Sequence, residues 1–459
     1  MINLTDFKNI HCIGIGGVGV SAIAEILLSR GYSVSGSDMK QSEITDRLAE
    51  KGIKIYIGHA RENVENADLI VYSAAIAEEN PEIIRAREKN IPLASRAEIL
   101  GVLMDEFENS IAISGTHGKT TTTSMVSLIL EHANFEPTIL VGGNLAEIGG
   151  NVKVGHSKFF VTEACEYRDS FLQLRPRIEV ILNIDSDHLD YFKDIDHIVD
   201  SFDRFTKLIP EGGKIIAYDA NPFVAKIIRG IPGTITYGYN EKCDYYIDQV
   251  EFDDNGMPAF ELNFQGEPLG SIKLNMPGEH NILNAVAAFA CCHQLGVEVP
   301  VIVDTLENFT GTQRRFDVIG TTANGVRIVD DYAHHPTEIK ATLSAASNIH
   351  SNRLWCLFQP HTYTRTLALF DEFADSFADA DVLVMAKIYA AREKDIYKVS
   401  SKALAEEIMR KHPEKEVYYF DTLEEIADFV KEKAEPNDLV ITMGAGDIYK
   451  VGEMVLSEN

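Results

Sequence analysis

Short apolar runs and stretches with helical periodicity alternate along most of this chain. Apolar runs at residues 10–13, 32–35, 54–57 and 69–73 predict strands, and residues 21–30 repeat their apolar positions with the period of a helix. Regular strand–helix alternation is typical of an α/β fold built on parallel sheets. Ligands of such sheets bind at the carboxyl ends of the strands, so the polar residues that follow each predicted strand are the candidates for chemistry.

The first predicted strand runs into a glycine-rich loop. Its glycines have the spacing Gly14-x-Gly16-x-x-Gly19, and Asp38 closes the next strand about twenty positions on. This arrangement is the βαβ fingerprint of dinucleotide binding, in which the backbone approaches a diphosphate and the carboxylate meets a ribose. By itself the loop leaves two interpretations open: a nicotinamide or flavin enzyme, or a protein that holds another phosphate ligand.

A second glycine loop follows an apolar run at residues 111–113. Residues 114–120, with the sequence SGTHGKT, read as the end of a strand, a tight loop and the first turn of a helix. The backbone N–H groups and helix dipole of such a loop make a phosphate site, in which Lys119 would reach the outer phosphates and Thr120 would ligate magnesium. The general pattern has glycine where this chain has Ser114, so the loop is a shortened variant. The alternative is a structural strand–turn–helix corner.

Carboxylates follow the next two predicted strands, at residues 159–163 and 180–184. Glu163 ends the first strand, and residues 185–190, with the sequence DSDHLD, follow the second. Beside a phosphate loop in a parallel sheet, Glu163 is placed to hold a metal or its water shell. With that loop upstream, the acidic run indicates a magnesium site rather than a solvated turn. His188 would be an unusual ligand, because magnesium prefers oxygen.

Polar residues also cluster at a helix start and at a domain junction. His280, Asn281 and Asn284 share the start of an apolar helix. Helix capping accounts for one asparagine. The remaining two side chains leave a hydrogen-bond donor and an acceptor for the edge of a nucleotide base. Arg314 and Arg315 stand near the boundary to a third segment, where paired arginines are either a surface cap or a clamp on nucleotide phosphates.

Strand–helix alternation resumes from residue 326. Isolated histidines are usually structural, but His334, His335 and His361 all fall at predicted strand ends, where a doubly wound sheet keeps its site. The last predicted strand, residues 439–442, enters residues 444–448, a second candidate anion nest.

Composition narrows the functional classes. The 459 residues suggest about three domains, and 45% hydrophobic with 24% charged residues is typical of a globular protein. The net charge of −28 argues against a nucleic-acid partner, but local cations can still hold an anionic small molecule. No apolar window predicts a membrane span, and no N-terminal pattern predicts a secretory signal. Six cysteines without C-x-x-C pairing fit the cytoplasm.

Two phosphate loops in separate segments imply two nucleotide-like ligands, one suited to a diphosphate and one to a triphosphate. The polar strand ends of the third segment imply a third participant. A reaction that joins three ligands, one of them a triphosphate, is most simply an ATP-driven condensation.

Taken in order, these motifs resemble those of the Mur ligase family. The resemblance covers essentially the whole chain, and its most specific parts are D-D-Y-x-H-H-P at residues 330–336 and Q-P-H at residues 359–361. It implies an α/β protein of three domains: an N-terminal Rossmann-like domain at residues 1–107, a central P-loop ATPase-like domain with a mostly parallel sheet at residues 108–315, and a C-terminal Rossmann-like domain at residues 316–459. In one departure, Thr362 stands where many relatives have arginine, which leaves Arg365 as the basic contact.

The resemblance also implies an activity: ATP-dependent ligation of L-alanine to the lactyl carboxylate of UDP-N-acetylmuramate through an acyl phosphate, in peptidoglycan precursor synthesis. The residues implied for the UDP-sugar are Gly14, Gly16, Gly17, Val18, Gly19, Asp38, Ser73, His361 and Arg365. Those implied for ATP are Gly115, Thr116, His117, Gly118, Lys119, Thr120, Thr121, Asn281, Asn284, Arg315 and Asp331. Those implied for Mg²⁺ are Thr120, Glu163 and His188, and the implied catalytic residues are Lys119, Glu163, His188, His334 and His335.

Three other interpretations stay open at the level of sequence. A recycling ligase that attaches an intact peptide to the same UDP-sugar would share most of the motifs. A nicotinamide-dependent oxidoreductase is supported by residues 14–19 and Asp38, but it leaves the second phosphate loop unexplained. A non-catalytic ATP-binding regulator would have the same architecture, although Lys119, Glu163 and His188 together argue against lost catalysis. The sequence does not indicate an oligomeric state.

Overall fold

The computed structural model describes residues 2–73, 75–189, 191–391 and 393–457, so Asp190 of the acidic run lies outside the described residues. The described residues form three sheets in chain order, each flanked by helices. The α/β architecture with three domains is therefore confirmed, while the domain boundaries stay predictions. In the described part of the chain, no helix is both long enough and apolar enough to cross a membrane.

The first sheet is entirely parallel. Its strands are β1 (Asn9–Ile13), β2 (Ser33–Asp38), β3 (Lys54–Ile57), β4 (Leu69–Tyr72) and β5 (Leu93–Ser95), in the order β3-β2-β1-β4-β5. Its helices are α1 (Val18–Ser29), α2 (Glu43–Glu50), α3 (Pro81–Glu88) and α4 (Arg96–Met104), with 3-10 turns at Leu4–Asp6 and Arg61–Val64.

The second sheet is the largest, and its centre is parallel. Its strands are β6 (Asn109–Ser114), β7 (Thr138–Leu145), β8 (Gly150–Lys153), β9 (Phe159–Ala164), β10 (Ile178–Ile181), β11 (Lys214–Tyr218), β12 (Thr234–Gly238), β13 (Tyr245–Phe252), β14 (Pro258–Phe264) and β15 (Glu267–Lys273). They run in the order β15-β14-β13-β12-β11-β10-β6-β9-β7-β8, and β8, β14 and β15 pair antiparallel. The helices are α5 (Lys119–His132), α6 (Ile195–Thr206), α7 (Pro222–Ile228), α8 (Glu279–Gln294) and α9 (Val299–Asn308), with 3-10 turns at Ala146–Ile148 and Tyr167–Gln173.

The third sheet is parallel except at one edge. Its strands are β16 (Asp317–Thr321), β17 (Arg327–Asp331), β18 (Leu354–Phe358), β19 (Val382–Met385), β20 (Glu416–Tyr419) and β21 (Leu439–Met443), in the order β16-β17-β21-β18-β19-β20 with β16 antiparallel. The helices are α10 (Pro336–Ser347), α11 (Tyr363–Ala368), α12 (Phe370–Ala374), α13 (Ser401–Lys411), α14 (Leu423–Lys433) and α15 (Tyr449–Leu456).

The first glycine loop is fastened to the end of β2. The N–H groups of Gly14 and Ile15 donate to the carbonyl of Ser37 at 2.8 and 3.0 Å, and Gly14 has a φ of 77°, which favours glycine. The Ser37 hydroxyl in turn donates to the buried carboxylate of Glu82 at 2.6 Å. Burial opposes this charge, but polar neighbours, His11 foremost, outweigh it and lower the pKa of Glu82 to about 2. The loop therefore has a rigid polar support beneath it.

The strand predicted at residues 180–184 ends earlier, at Ile181 of β10. Beyond it the side chain of Asn183 bonds to the second glycine loop instead of to a neighbouring strand. Its Oδ1 accepts from the N–H of His117 at 2.8 Å, and its Nδ2 donates to the carbonyl of His117 at 3.0 Å. The chain leaves the sheet here because its polar groups are used to hold that loop.

Glu179 of β10 is an acid inside the central sheet. Its side chain is fully buried, one oxygen accepts a 3.2 Å hydrogen bond from the Ser114 hydroxyl, and the other has no hydrogen-bond partner. Burial disfavours the charged form and raises the pKa of Glu179 to about 8. The side chain is therefore mostly a neutral acid at pH 7.

We expect Glu179→Gln to stabilise the protein at alkaline pH. The pKa of Glu179 is higher in the folded protein than in the unfolded chain. As the pH rises from the lower to the higher of these two pKa values, the free energy of unfolding therefore falls, by up to roughly 1.4 kcal/mol per pH unit. The amide keeps the shape but cannot ionise, so its free energy of unfolding at pH 8 should exceed that of the unsubstituted protein by roughly 2 kcal/mol or more. Urea unfolding at pH 5 and pH 8 measures this, with the exposed Glu267→Gln as control. An unchanged pH dependence in Glu179→Gln would contradict it.

Candidate active site

The second glycine loop wraps around the N-terminus of α5. Gly115 and Gly118 have φ values of 140° and 85°, and α5 begins directly after Gly118. A side chain at position 118 would collide with Asn284, whose Oδ1 lies 2.4 Å from an added Cβ. The loop thus presents backbone N–H groups at a helix N-terminus, which is the geometry of an anion site.

Lys119 folds back across this loop into a buried ion pair. Its Nζ donates to the carbonyls of Gly115 and Thr116, the latter at 3.0 Å, and to Glu166 Oε2 at 3.0 Å. Burial opposes the charge, but the Glu166 carboxylate outweighs it and raises the pKa of Lys119, so the amine is charged. Sequence reasoning missed Glu166; its signal was a second glutamate three positions after Glu163.

A cavity of about 1020 Å³ opens where the three domains meet. Its walls bring together eight of the residues implied for the substrates and the metal: Gly17, Val18, Gly19, Ser73, Glu163, His188, His361 and Arg365. Gly14, Gly16 and Asp38 lie outside this wall. Asp38 Oδ2 accepts a 2.9 Å hydrogen bond from the N–H of Gly16, so the carboxylate supports the loop where the sequence had suggested a ribose contact.

A second cavity, of about 450 Å³, lies between the central and third domains. Seven residues implied for ATP line it: His117, Gly118, Thr121, Asn281, Asn284, Arg315 and Asp331. The others, Gly115, Thr116, Lys119 and Thr120, belong to the loop and the start of α5. The rings of Tyr218, Phe223 and Tyr237 also line the cavity, and aromatic faces suit a nucleobase. Sequence reasoning missed them because aromatic residues have no local pattern that distinguishes a cavity wall from a core.

The two asparagines of α8 are largely satisfied within the protein. Asn281 Nδ2 donates to the carbonyl of Pro277 at 2.8 Å, and its Oδ1 accepts from Asn284 Nδ2 at 3.2 Å. Asn284 Oδ1 accepts from the Thr122 hydroxyl at 3.3 Å. These bonds occupy groups that the sequence had assigned to a base edge, so each amide group keeps only its second donor or acceptor position.

Glu163, Thr120 and His188 are the residues implied for a metal, and glycines keep space beside two of them. Glu163 Oε1 accepts a 2.6 Å hydrogen bond from Gly142 N, and a Cβ added at Gly142 would lie 2.6 Å from Glu163 Oε2. A Cβ added at Gly143 would lie 3.1 Å from the Thr120 methyl group. A carboxylate and a hydroxyl with such room fit Mg²⁺, which prefers oxygen ligands, while an imidazole is a less common ligand.

Asp185 and Asp187, the described carboxylates of the acidic run after β10, are used mainly to hold the third domain, and the magnesium site that the run had indicated stays a prediction. Asp187 Oδ1 accepts from Nε and Nη2 of Arg365, in α11, at 3.1 and 3.0 Å. Asp185 Oδ2 lies 3.1 Å from His117 Nε2 and accepts from the Thr337 hydroxyl, in α10, at 2.6 Å. Burial opposes both charges, but these partners hold the pKa of each carboxyl well below its usual range.

His334 and His335 occupy the N-terminus of α10. His335 caps the helix: its Nδ1 accepts from the N–H of Thr337 at 3.3 Å and its Nε2 donates to the carbonyl of Ser186 at 2.8 Å. His334 Nδ1 bonds to the carbonyl of Tyr332 at 2.9 Å. Burial lowers the pKa of both imidazoles, that of His334 to about 3. Both are therefore neutral, and neither lines the two cavities, so their catalytic assignment stays a prediction.

The paired arginines divide into two roles. Arg314 Nε donates to Asp330 at 2.8 Å and its Nη2 donates to the carbonyl of Gly444 at 2.8 Å, so this side chain joins strands of the third domain. Arg315 instead lines the smaller cavity, beside the residues implied for ATP. Only the second arginine of the pair is thus placed to meet a nucleotide.

The anion nest predicted at residues 444–448 is wrong. The side-chain oxygen of Gln359 accepts hydrogen bonds from the N–H groups of Asp447 and Ile448 at 2.9 and 3.2 Å. An amide oxygen therefore occupies the place predicted for an anion. This contact explains the glutamine of the Q-P-H motif as a support for the strand end.

Three family models match successive parts of this chain. The family model described as the Mur ligase family, catalytic domain, matches residues 9–108. The Mur ligase middle domain matches residues 113–292, and the Mur ligase, glutamate ligase domain, matches residues 314–446. The chain belongs to the Mur ligase family. The resemblance predicted from the motifs is confirmed.

Several Mur ligases are similar to this chain over nearly its whole length. The UDP-N-acetylmuramate–L-alanine ligase of Alkaliphilus metalliredigens is 50% identical over 98% of this chain and 97% of that protein, and that of Clostridium tetani is 51% identical over 98% of each. The crystal structure of UDP-N-acetylmuramate–alanine ligase from Thermotoga maritima is 28% identical, covers 98% of both chains and has a TM-score of 0.82. A murein peptide ligase from Psychrobacter arcticus is 25% identical over 98% of both chains, with a TM-score of 0.74.

We expect Gly118→Ala to weaken ATP binding by this Mur ligase roughly tenfold or more. The added methyl group would meet Asn284 Oδ1 at 2.4 Å, and the residue would have to keep a φ of 85°. Gly52→Ala is the matched control, because Gly52 has a φ of 94° and no atom within 4 Å of an added Cβ. Titration calorimetry with ATP measures the difference. Equal affinities in the two variants would remove this loop from the nucleotide site.

Proposed function

We propose that the chain joins L-alanine to the lactyl carboxylate of UDP-N-acetylmuramate at the expense of ATP, a step of peptidoglycan precursor synthesis. The observation that carries the proposal is the larger cavity. In it the glycine loop of the first domain, Glu163 of the central domain and Arg365 of the third domain face one space. The relatives from Alkaliphilus metalliredigens and Clostridium tetani are named for this ligation. A cytoplasmic location goes with the proposal as a prediction.

The chemistry requires activation of the carboxylate, because its oxide is too poor a leaving group for an amine to displace. Transfer of the γ-phosphoryl group of ATP to the lactyl carboxylate makes an acyl phosphate and releases ADP. Attack of the neutral amine on the carbonyl carbon then forms the amide bond, breaks the bond to phosphate and releases one proton from the nitrogen. Charged Lys119 offsets the charge that spreads over the phosphoryl oxygens in transit. To do so its ammonium exchanges the loop carbonyls and Glu166 for phosphate oxygens. Mg²⁺, held by Thr120, Glu163 and His188, would supply further neutralisation of phosphate charge.

The third domain supplies the polar contacts on the opposite wall. His361 Nδ1 accepts from Arg365 Nη1 at 3.3 Å, so its Nε2 carries the proton. Burial lowers the pKa of His361 to about 4, so the ring is neutral. Together the guanidinium and the Nε2–H group are donors that suit a substrate carboxylate. Docking of this domain also excludes water, which would hydrolyse an acyl phosphate.

The alternatives are less well supported. Among solved structures, the murein peptide ligase is 25% identical with a TM-score of 0.74, and the alanine ligase is 28% identical with a TM-score of 0.82. The two L-alanine ligases compared by sequence are 50% and 51% identical. An oxidoreductase would use Asp38 on a ribose, but this carboxylate bonds to the Gly16 N–H. A non-catalytic regulator would not need both a buried, charged Lys119 and Glu163.

One incubation tests the proposal. With ATP, Mg²⁺ and UDP-N-acetylmuramate, the protein should release phosphate when given L-alanine and not when given a tripeptide, and mass spectrometry should find the alanyl product. Lys119→Ala should abolish this release, because the cation that offsets phosphoryl charge is lost, while binding of the UDP-sugar stays largely intact. Product from the tripeptide alone, or near-normal turnover in Lys119→Ala, would overturn the assignment.

We expect Glu163→Ala to raise the Mg²⁺ concentration needed for half-maximal turnover roughly tenfold or more, because it removes a carboxylate ligand. Turnover measured across a Mg²⁺ series checks this. Glu267→Ala, at an exposed glutamate of β15, is the control. If the Mg²⁺ dependence of Glu163→Ala matches that of the control, Glu163 is not part of the metal site.

A further inference from the structure

His117 of the phosphate loop lies between carboxylates of two different domains. Its Nε2 is 3.1 Å from Asp185 Oδ2, on the central domain, and its Nδ1 is 3.2 Å from Glu338 Oε1, on α10 of the third domain. Carboxylates only accept hydrogen bonds, so both ring nitrogens must donate. A ring that donates through both nitrogens is an imidazolium. The charge of this histidine therefore bridges the domain junction.

The surroundings of the ring favour that charge. Burial opposes it, but hydrogen bonds to Asp185 and Glu338 outweigh burial and raise the pKa of His117 to about 9. Two other imidazole rings lie near His117: that of His335, whose centroid is 4.8 Å from the His117 centroid, and that of His280, whose pKa burial lowers to about 4. Both are neutral, so neither repels the charge on His117. Arg315, at the predicted boundary between the central and third domains, faces Glu338.

The groups that form two other contacts across the same junction do not change their charge as the solution becomes alkaline. The Thr337 hydroxyl donates to Asp185, and Arg365 pairs with Asp187. A hydroxyl–carboxylate bond and a guanidinium–carboxylate pair do not titrate between pH 7 and about 10. His117 is therefore the group in this set of described contacts whose charge changes there.

We propose that protonated His117 is a clasp, a positioning residue that ties the phosphate loop to the third domain and releases that domain as the solution becomes alkaline. The consequence for catalysis rests on the proposed function, but the clasp does not. When the third domain withdraws, it takes Glu338 with it, and the ring holds its proton less tightly. Docking is therefore favoured at neutral pH and lost as pH rises through the raised pKa of His117.

The clasp also reaches the loop backbone. The N–H and carbonyl of His117 are fixed by the side chain of Asn183, so a pull on the ring is transmitted to the residue that precedes Gly118. The docked third domain thus helps to set the conformation of the loop that receives phosphate. This is a positioning effect, distinct from any contact of His117 with the nucleotide.

Small-angle X-ray scattering of the ligand-free protein from pH 7 to pH 9.5, in EDTA, tests the clasp. The radius of gyration of the unsubstituted protein should increase towards pH 9.5. His117→Asn should lose this pH response, and Glu338→Gln should lose most of it, because the carboxylate that leaves with the third domain and couples docking to the proton of His117 is removed. His412→Asn is the matched control: its ring lies between Asp375 and Glu414, at 3.9 and 3.7 Å, but all three belong to the third domain.

A radius that does not change with pH, or a His117→Asn variant that keeps the full response, would overturn the clasp. Two side chains of the clasp, His117 and Asp185, and the neighbouring His335 have metal-ligand atoms within 4.8 Å of one another. A pH response that appears only without EDTA would therefore assign the junction to a bound metal and reject the proton. The scattering experiment contains no substrate, so failure of the alanine ligation assay would not affect its result. Likewise, failure of the scattering experiment would not affect the ligation assay. Circular dichroism of each variant checks that it folds, and Glu338→Gln gives an independent test.

Discussion

The buried ion pair between Asp187 and Arg365 is the interaction on which the closed arrangement depends. Their side chains are 10% and 12% exposed, so bulk water solvates neither charge well. An ionised carboxylate in such a place is stable only with its cation against it. Because the two residues belong to different domains, the pair fixes where the third domain sits. The walls of both cavities follow from that position.

The sequence could predict the parts of the site that a single short segment of the chain forms. The spacing of Gly115, Gly118 and Lys119 predicted a phosphate loop, and the structure shows a loop at the start of α5 with glycines in the left-handed region. Local backbone conformation determines such a loop, so its residues report it directly. The strand–helix alternation likewise predicted the α/β fold, and the chain length and the family resemblance predicted its three domains.

Partners from distant parts of the chain were not predictable in this way. Lys119 pairs with Glu166, 47 positions away, and His117 with Glu338, 221 positions away. No periodicity relates such residues, since tertiary packing brings them together. Arg314 and Arg315 are adjacent and chemically identical, yet one supports the third domain and the other faces a cavity. The difference depends on Asp330 and Gly444, which only the folded chain places beside Arg314.

A strongly acidic protein can hold anionic ligands because its charge is matched locally. Around the phosphate loop, Glu166 is paired with Lys119, Asp187 with Arg365, and Asp185 with His117. These carboxylates do not add free negative charge where phosphates approach. The net charge of −28 therefore describes the whole surface, and it does not describe the site.

The smaller cavity has walls from two domains, with Asn284 on one side, Asp331 on the other and Arg315 at the boundary between them. A nucleotide in it contacts both, so its binding free energy includes contacts that exist only in the docked state. Linkage is reciprocal: the factor by which docking tightens the nucleotide is the factor by which the nucleotide favours docking. Binding of a nucleotide in this cavity and docking of the third domain are thus thermodynamically coupled, and a substitution that loosens the junction also weakens binding of the nucleotide.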